Sequence, residues 1–517
     1  MITRPAMRAF GVFSRPRQSI PLTLRAAVAG ALIALVPGGC TAIAAPQPAI
    51  VPAPGVPAAP PVAQPLTVQG VTLHRAAGVH SLWLSNNIRL HVRPMPGSPG
   101  VSLCIRVLGG ELHETEATRG LTAAAAGAWQ PDSAAARPLL VTVGAESITM
   151  RYQGDGSGLS RSLQYAATLL KNPVANESRW PAVLSAALAR AQRGPLSEGT
   201  TLNAALGGAQ DLRALPARVD VVKSWNVRDA DRWLKRVLAE SPIEMAIAGD
   251  ITLEQARALV LEHMAGVRSA ARVSGETHAS LRASLPRVGG GVALVKGFRP
   301  PRGIVHLSLP GPDTGDLRAV REATLACAII KERLNALLEG AADASMPRGG
   351  VIAINPSPSR ALTGQGTIFL TLRIDNADNT DRQRAQLLSL VERALASITE
   401  PQGLGGPQFA RAVQSVSDEA QTRLKVPDYW AVVLSFADFY ALSPDALATP
   451  AEEYRSITPD QVRASVARMG GAESVRFAVM APARPADEAR DGGEAGDGND
   501  RPLPTSTAGD RPQTPEP

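Results

Sequence analysis

Aromatic side chains make up only 4% of the 517 residues, and the whole chain holds three cysteines. With aromatics this sparse and no run of basic residues, the stacking platforms and phosphate contacts that nucleic-acid binding needs are missing. Nucleic acid is therefore not an expected partner. So few cysteines also rule out a disulfide framework. Cys104 and Cys327 stand far apart with no metal-ligand spacing, and are expected as two unrelated buried thiols. The formal net charge of +7 suggests an anionic partner until it is located. Five arginines and no acids fall within residues 1–45, while residues 486–517 carry eight acids against three arginines. The remainder is diffuse charge.

The N-terminus reads as an export address. Ala26 to Val36 is an uncharged apolar run of 11 residues behind a basic segment ending at Arg25. A membrane-spanning helix takes about 20 residues, so this run suits the apolar core of a signal peptide. Two ends of that signal, within residues 1–45, compete. Ala42-Ile43-Ala44 is a small-x-small cleavage site. Gly38-Gly39-Cys40 looks like a lipobox, which would make Cys40 a lipidation site and give the chain a membrane anchor. Residues 46–65 are a Pro/Ala-rich tether, a composition that favours extended polyproline backbone. The expected location is the bacterial periplasm, free or lipid-anchored.

Beyond the tether, strand and helix patterns alternate. Strands are expected over 66–75, 81–84, 88–94 and 101–108, a helix over 115–129, and a hairpin over 139–152 turning at Gly144-Ala145. Helices near 158–171, 178–193, 200–212 and 226–240 precede a strand at 243–248 and a helix at 252–264. Residues 271–290 read as a linker, after which the order repeats. Strands at 291–296, 303–309, 351–354 and 366–374 are interleaved with helices at 316–338, 380–397, 407–424, 428–441 and 459–469, and a strand at 475–480 closes the half. Two halves, 66–270 and 291–485, thus share one order, the mark of a duplicated α+β domain. The tail at 486–517 is acidic, rich in Gly and Pro, and expected to be disordered.

Several short constellations have structural readings. Gly154-Asp155-Gly156-Ser157-Gly158 lacks the Lys-Ser/Thr of a phosphate loop and the first glycine of a nucleophile elbow, so a turn with a serine N-cap is expected. His263 follows Glu262 as in a zinc helix, but the position four residues earlier is Leu259, which makes it a helix-end histidine. His113-Glu114-Thr115-Glu116 precedes a helix, where carboxylates suit the N-terminal dipole. Capping is the expected role there, with a metal site as the alternative.

Gly110-Glu111-Leu112-His113-Glu114, then Gly120-Leu121-Thr122 six residues on, and later Ile243 to Ala248 leading into Gly249-Asp250, resemble the insulinase/pitrilysin family of zinc peptidases. The resemblance covers nearly all of 66–485. It implies an α+β fold of two homologous, processing-peptidase-like α/β-sandwich domains that form a half-chamber. It also implies two zinc histidines and a catalytic glutamate, which fall here on Ala123, Gly127 and Ala126. None of these side chains carries a lone-pair donor for zinc or a carboxylate to activate water. The third ligand of the family, a glutamate on a later helix, is expected near Val183–Gln192, where no acid occurs. The family's second-half arginine and tyrosine fall on Leu338 and Asp343.

The resemblance therefore implies a non-catalytic member, with no catalytic residue, no metal ligand and no cofactor, zinc being lost. Its expected role is a pseudopeptidase subunit that binds a peptide or unfolded protein and pairs with a zinc-bearing insulinase-like peptidase subunit. The alternatives are a structural scaffold of the same fold in an envelope complex, and an active metallopeptidase with displaced zinc ligands.

Overall fold

The computed structural model describes residues 65–111, 114–131, 138–144, 147–193, 217–271, 291–294, 303–310, 312, 316–340, 351–358, 367–374, 381–400, 403–468 and 476–479. The signal readings at Ala42–Ala44 and Cys40, the tether, the helix at 200–212, His113, Asp343, most of the 271–290 linker and the acidic tail lie outside these residues.

The first half builds β1 (Val68–His74), β2 (Val79–Leu84), β3 (Arg89–Pro94), β4 (Val101–Leu108), β5 (Leu140–Val143), β6 (Ser147–Gly154) and β7 (Ile243–Gly249). They form one sheet in the order β1-β2-β3-β7-β4-β6-β5. The second half builds β8 (Gly291–Leu294), β9 (Gly303–Pro310), β10 (Val351–Pro358), β11 (Thr367–Ile374) and β12 (Arg476–Val479), ordered β10-β11-β9-β12-β8.

The repeat expected from the element order is explicit in the strand pairing. In the first sheet β3 runs parallel to β7, and β7, β4, β6 and β5 follow as antiparallel neighbours. In the second sheet β8 runs parallel to β12, and β12, β9, β11 and β10 follow in the same antiparallel succession. Five strands thus match in order and in sense, with the β1–β2 pair added at one edge of the first sheet. This is an α+β fold of two equivalent units.

The helices of the first half are α1 (Leu121–Trp129), α2 (Gly156–Lys171), α3 (Trp180–Arg193), α4 (Val219–Ser224), α5 (Val227–Glu240) and α6 (Leu253–His263). Those of the second are α7 (Leu317–Gly340), α8 (Asp381–Thr399), α9 (Gly406–Arg423), α10 (Pro427–Leu434), α11 (Pro444–Ala448), α12 (Pro450–Arg455) and α13 (Pro459–Arg468). Two helix expectations are corrected. The helix expected over 115–129 begins at Leu121, because Gly120 takes a left-handed φ of 87° that breaks the chain direction after a short 3-10 turn at Glu116–Thr118. The helix expected over 428–441 ends at Leu434, where Ser435 to Ala441 continue as turns and Ala441 adopts a φ of 53°.

All eight residues of β4 and all seven of β7 are buried, which requires cover on both faces of the sheet. One face takes the first-half helices: Leu103, Ile105 and Val107 share a core with Leu121, Leu159, Leu163 and Trp233. The other face is covered by α10 of the second half, whose Trp430 and Leu434 pack on Val79, Ala246 and Ala248. Trp430 is fully buried, and its indole N–H donates to the Leu424 carbonyl at 2.8 Å. Around this apolar contact lies a polar frame. Arg151 pairs with Asp428 at 2.6 Å, Arg89 with Asp438 at 2.7 Å, and the Arg106 guanidinium donates to Ser435 at 2.9 Å.

Cys104 and Cys327 are free and buried, as expected. Burial raises both thiols, Cys327 to about 12, which keeps them protonated and unreactive.

Candidate functional site

The site begins with the chain leaving β4 and entering α1. Glu114 sits under this turn with only 1% of its side chain exposed. One carboxylate oxygen accepts the Gly120 N–H at 2.8 Å and the Arg119 guanidinium at 3.1 Å, and the other accepts the Thr122 N–H at 2.8 Å. An α-helix leaves its first N–H groups without intrahelical partners, and a buried anion there satisfies both donors and dipole. Capping, expected for this segment, is what Glu114 does. Glu116 instead pairs on the surface with Arg218 at 3.2 Å. Thr122 is fixed a second time, since its Oγ1 accepts the Trp233 indole N–H from α5 at 3.0 Å.

Past this anchored start, the three positions of interest follow within two turns. Ala126 is buried at 2% exposure, while Ala123 and Gly127 are partly exposed. Their neighbour is α3, the helix on which a third ligand was expected. A Cβ placed on Gly127 would stand 3.5 Å from Cγ2 of Val183. Methyl and methylene groups therefore meet where imidazole and carboxylate donors were expected. Zinc needs nitrogen, sulfur or oxygen donors. It does not fit Ala123, Ala126, Gly127 and Val183. Among the described residues, no group of three His, Cys, Asp or Glu side chains stands close enough to hold a metal ion.

Alongside lies β5, the last strand of the first sheet, hydrogen-bonded to β6 on one side. Leu140 on this strand is 60% exposed. The strand's end is tied to the turn before α1, because the Glu111 N–H donates to the Gly144 carbonyl at 3.2 Å. Glu111 faces Arg119 at 3.7 Å. Its carboxyl is held above the usual carboxylate range, chiefly by burial, against the opposing pull of Arg119 and Arg190, with Glu114 adding to the rise. This cluster of Glu111, Glu114, Arg119 and Arg190 escaped the sequence reading because its members come from a turn and from α3. Two glutamates three residues apart and an arginine just before Gly120 were the available signal.

The remaining candidates resolve as structure. Asp155, not Ser157, caps α2: its carboxylate accepts the Gly158 N–H and the Ser157 hydroxyl, each at 2.8 Å. The serine expectation fails because α2 starts at Gly156, which places the better acceptor at the cap. His263 ends α6 and bonds through its ring to Ser160 of α2 at 2.9 Å, tying two helices rather than facing solvent. Ser81 and His91 form a 2.7 Å pair that the sequence did not signal, but both are fully buried and out of reach of substrate.

The sequence matches no family profile and no curated protein. Solved structures do match. The periplasmic protease PqqL from Escherichia coli superposes on 84% of this chain and 48% of its own, with a TM-score of 0.62 at 15% identity. The peptidase M16 inactive domain from Pseudomonas fluorescens matches over 79% of this chain and all of its own, with a TM-score of 0.61 at 13% identity. Pitrilysin matches over 81% of this chain. The chain has the pitrilysin-like fold. It spans about half the length of PqqL and of pitrilysin. A chain of complex III from Candida albicans shares the pitrilysin-like fold over 95% of its own length, with a TM-score of 0.61 at 14% identity. The fold resemblance read from the Gly110–Thr122 and Ile243–Thr252 segments is thereby borne out. Among the described residues, no helix is long and apolar enough to cross a membrane.

Proposed function

We propose that this chain is a non-catalytic, pseudopeptidase subunit that binds extended peptide and pairs with a zinc-bearing insulinase-like subunit in the bacterial periplasm. The observation that carries this reading is the contrast within α1. Its start is held by Glu114 and Thr122, while Ala123, Ala126 and Gly127 carry no donor and Gly127 faces the Val183 side chain. A helix so placed keeps the wall of a half-chamber and lacks the means to hold zinc or activate water.

The peptide would add as a further strand on the open side of β5, where main-chain groups give affinity and alternate side chains give selectivity. The solved inactive domain from Pseudomonas fluorescens supports a half-chamber without its own chemistry. The apolar run at Ala26–Val36 and the Pro/Ala tether support export, with Cys40 as the lipid-bearing residue. The likeness to a chain of complex III favours a second reading, a scaffold subunit that binds no peptide.

Two measurements on the full chain separate these readings. Zinc content and cleavage of a quenched fluorescent peptide are measured for the chain alone and after mixing with a zinc-bearing subunit captured with it under native conditions. The proposal expects no zinc and no cleavage alone, and cleavage on mixing. Amide hydrogen exchange then asks whether residues 140–143 become protected by an extended peptide. Absence of both peptide protection and cleavage on mixing selects the scaffold.

A further inference from the structure

A sheet edge exposes unpaired main-chain N–H and C=O groups, and proteins guard such edges with short strands, prolines or charges. Three of the four edges of the two sheets carry a guard of this kind. β5 and β8 have four residues each, and β10 contains Pro356 and Pro358. β1 has none. It is seven residues long and holds no proline and no Lys, Arg, Asp or Glu. Among the described residues, no strand pairs with its open side. Val71 and Leu73 are 55% and 50% exposed and share one face of the strand. Val71 lies opposite Leu82, a residue of the first-half core, so the apolar face of the sheet runs on past the helices that cover it.

The open side has a symmetric pattern. The turn after β1 closes with the Gly78 N–H donating to the Arg75 carbonyl at 3.4 Å, which directs the main chain of Arg75 toward β2. Main-chain groups alternate sides along an antiparallel strand, so those of Gly70, Thr72 and His74 point to the open side. A second β1 brought up antiparallel, with a two-fold axis at Thr72, sets Thr72 against Thr72, Gly70 against His74 and Val71 against Leu73. These three outward positions are then all paired. Apolar meets apolar, glycine leaves room for the imidazole, and no like charges face each other. The chain's own terminal segments match this edge poorly. Residues 46–65 hold eight prolines with never more than three residues between them, and residues 486–517 hold no Val, Ile, Phe, Tyr or Trp. The first cannot donate an unbroken ladder, and the second lacks strand-forming side chains.

We infer that β1 is a pairing edge for a second copy of this chain, joined as an antiparallel β1–β1 ladder across a two-fold axis at Thr72. β1 and β5 are opposite edges of one sheet, so this pairing leaves the β5 edge free. Seven residues a side is fewer than the roughly 20–30 of a standard interface, so the dimer forms reversibly with concentration. The inference does not depend on peptide binding at β5 or on a zinc-bearing partner.

The test is sedimentation velocity of the full chain from about 5 to 500 μM, with amide hydrogen exchange of residues 69–74 at both ends of that range. A dimer that grows with concentration is expected, with residues 69–74 exchanging more slowly in it. Thr72→Pro removes an outward N–H from each copy while sparing the β1–β2 ladder, and should weaken dimerisation by about tenfold or more. Val71→Lys with Leu73→Lys sets lysines against each other and should weaken it by a similar factor. Val71→Lys with Leu73→Glu sets each lysine against a glutamate of the other copy, and should dimerise about tenfold more tightly than the double-lysine variant. Both positions are exposed, so the charge variants are a test even if Thr72→Pro fails to fold by circular dichroism. A chain that stays monomeric throughout overturns the inference. So does a Thr72→Pro or double-lysine variant that dimerises as the parent does, or a lysine–glutamate variant no tighter than the double-lysine one. Protection of residues 69–74 by an added extended peptide, without a dimer, gives the edge to a peptide and overturns it as well.

Discussion

The start of the nine-residue helix α1 and the positions that follow it differ sharply in what their side chains offer. At the start of α1, Glu114 accepts three donors and Thr122 is clasped between Glu114 and Trp233. Within the next turn and a half, Ala123, Ala126 and Gly127 carry only methyl groups and hydrogen, and Gly127 faces Val183 of α3. The first region positions the helix, and the second is where a pitrilysin-like peptidase would do its chemistry. That position is therefore set by a buried carboxylate and an indole. Structural likeness at 11–15% identity establishes architecture and not activity.

This difference can be attacked at either end. The largest effect is expected from Glu114→Ala, which strands the Gly120 and Thr122 N–H groups and leaves Arg119 with one fewer carboxylate. Removing one partner of a buried charged network costs about 3 kcal/mol or more, readable as a shift of the urea midpoint. A loss below about 0.5 kcal/mol would mean that Glu114 does not anchor the helix. Thr122→Val keeps the shape and deletes the acceptor of the Trp233 N–H, for an expected loss of about 1–2 kcal/mol. Gly127→Ala should act in the opposite direction. An added Cβ meets Val183 at ordinary contact distance, and alanine gains about 0.5–1 kcal/mol over glycine inside a helix. Destabilisation by that variant would show that α3 tolerates nothing larger than hydrogen there.

The smallest effect concerns pH. Burial holds the Glu111 carboxyl above its usual range, so its charged form is less favourable in the folded chain than in the unfolded one. The stability this group contributes is complete below the unfolded carboxylate pKa, about 4.3, and is lost as pH rises through the folded value. Glu111→Gln should therefore melt at a temperature that improves, relative to the parent, as pH is raised from about 4 to 7. A constant difference across that range would remove Glu111 from the titrating groups.

Much of the architecture was legible in the sequence because strands and caps are local. The eight residues from Val101 to Leu108 read as a strand and form β4, and the turn and helix after Ile243–Gly249 follow the expected order. The same locality misled at 115–129, where an Ala-rich run looks helical throughout and only the φ of Gly120 shows the break. What could not be read is what depends on distant pairs. The cover that α10 gives to the first sheet joins Arg89 to Asp438 and Arg151 to Asp428 across more than 270 residues. At the candidate site the sequence offered the residue types alone, Ala123, Ala126 and Gly127. The apolar partner Val183 emerged only from packing.

The central claim, a pitrilysin-like half-chamber without its own reaction, is tested most directly by zinc content and peptide cleavage of the purified full chain. The account expects no bound zinc above background and no cleavage of a quenched fluorescent peptide by the chain alone. One equivalent of zinc per chain, together with cleavage that a chelator abolishes and zinc restores, would contradict it.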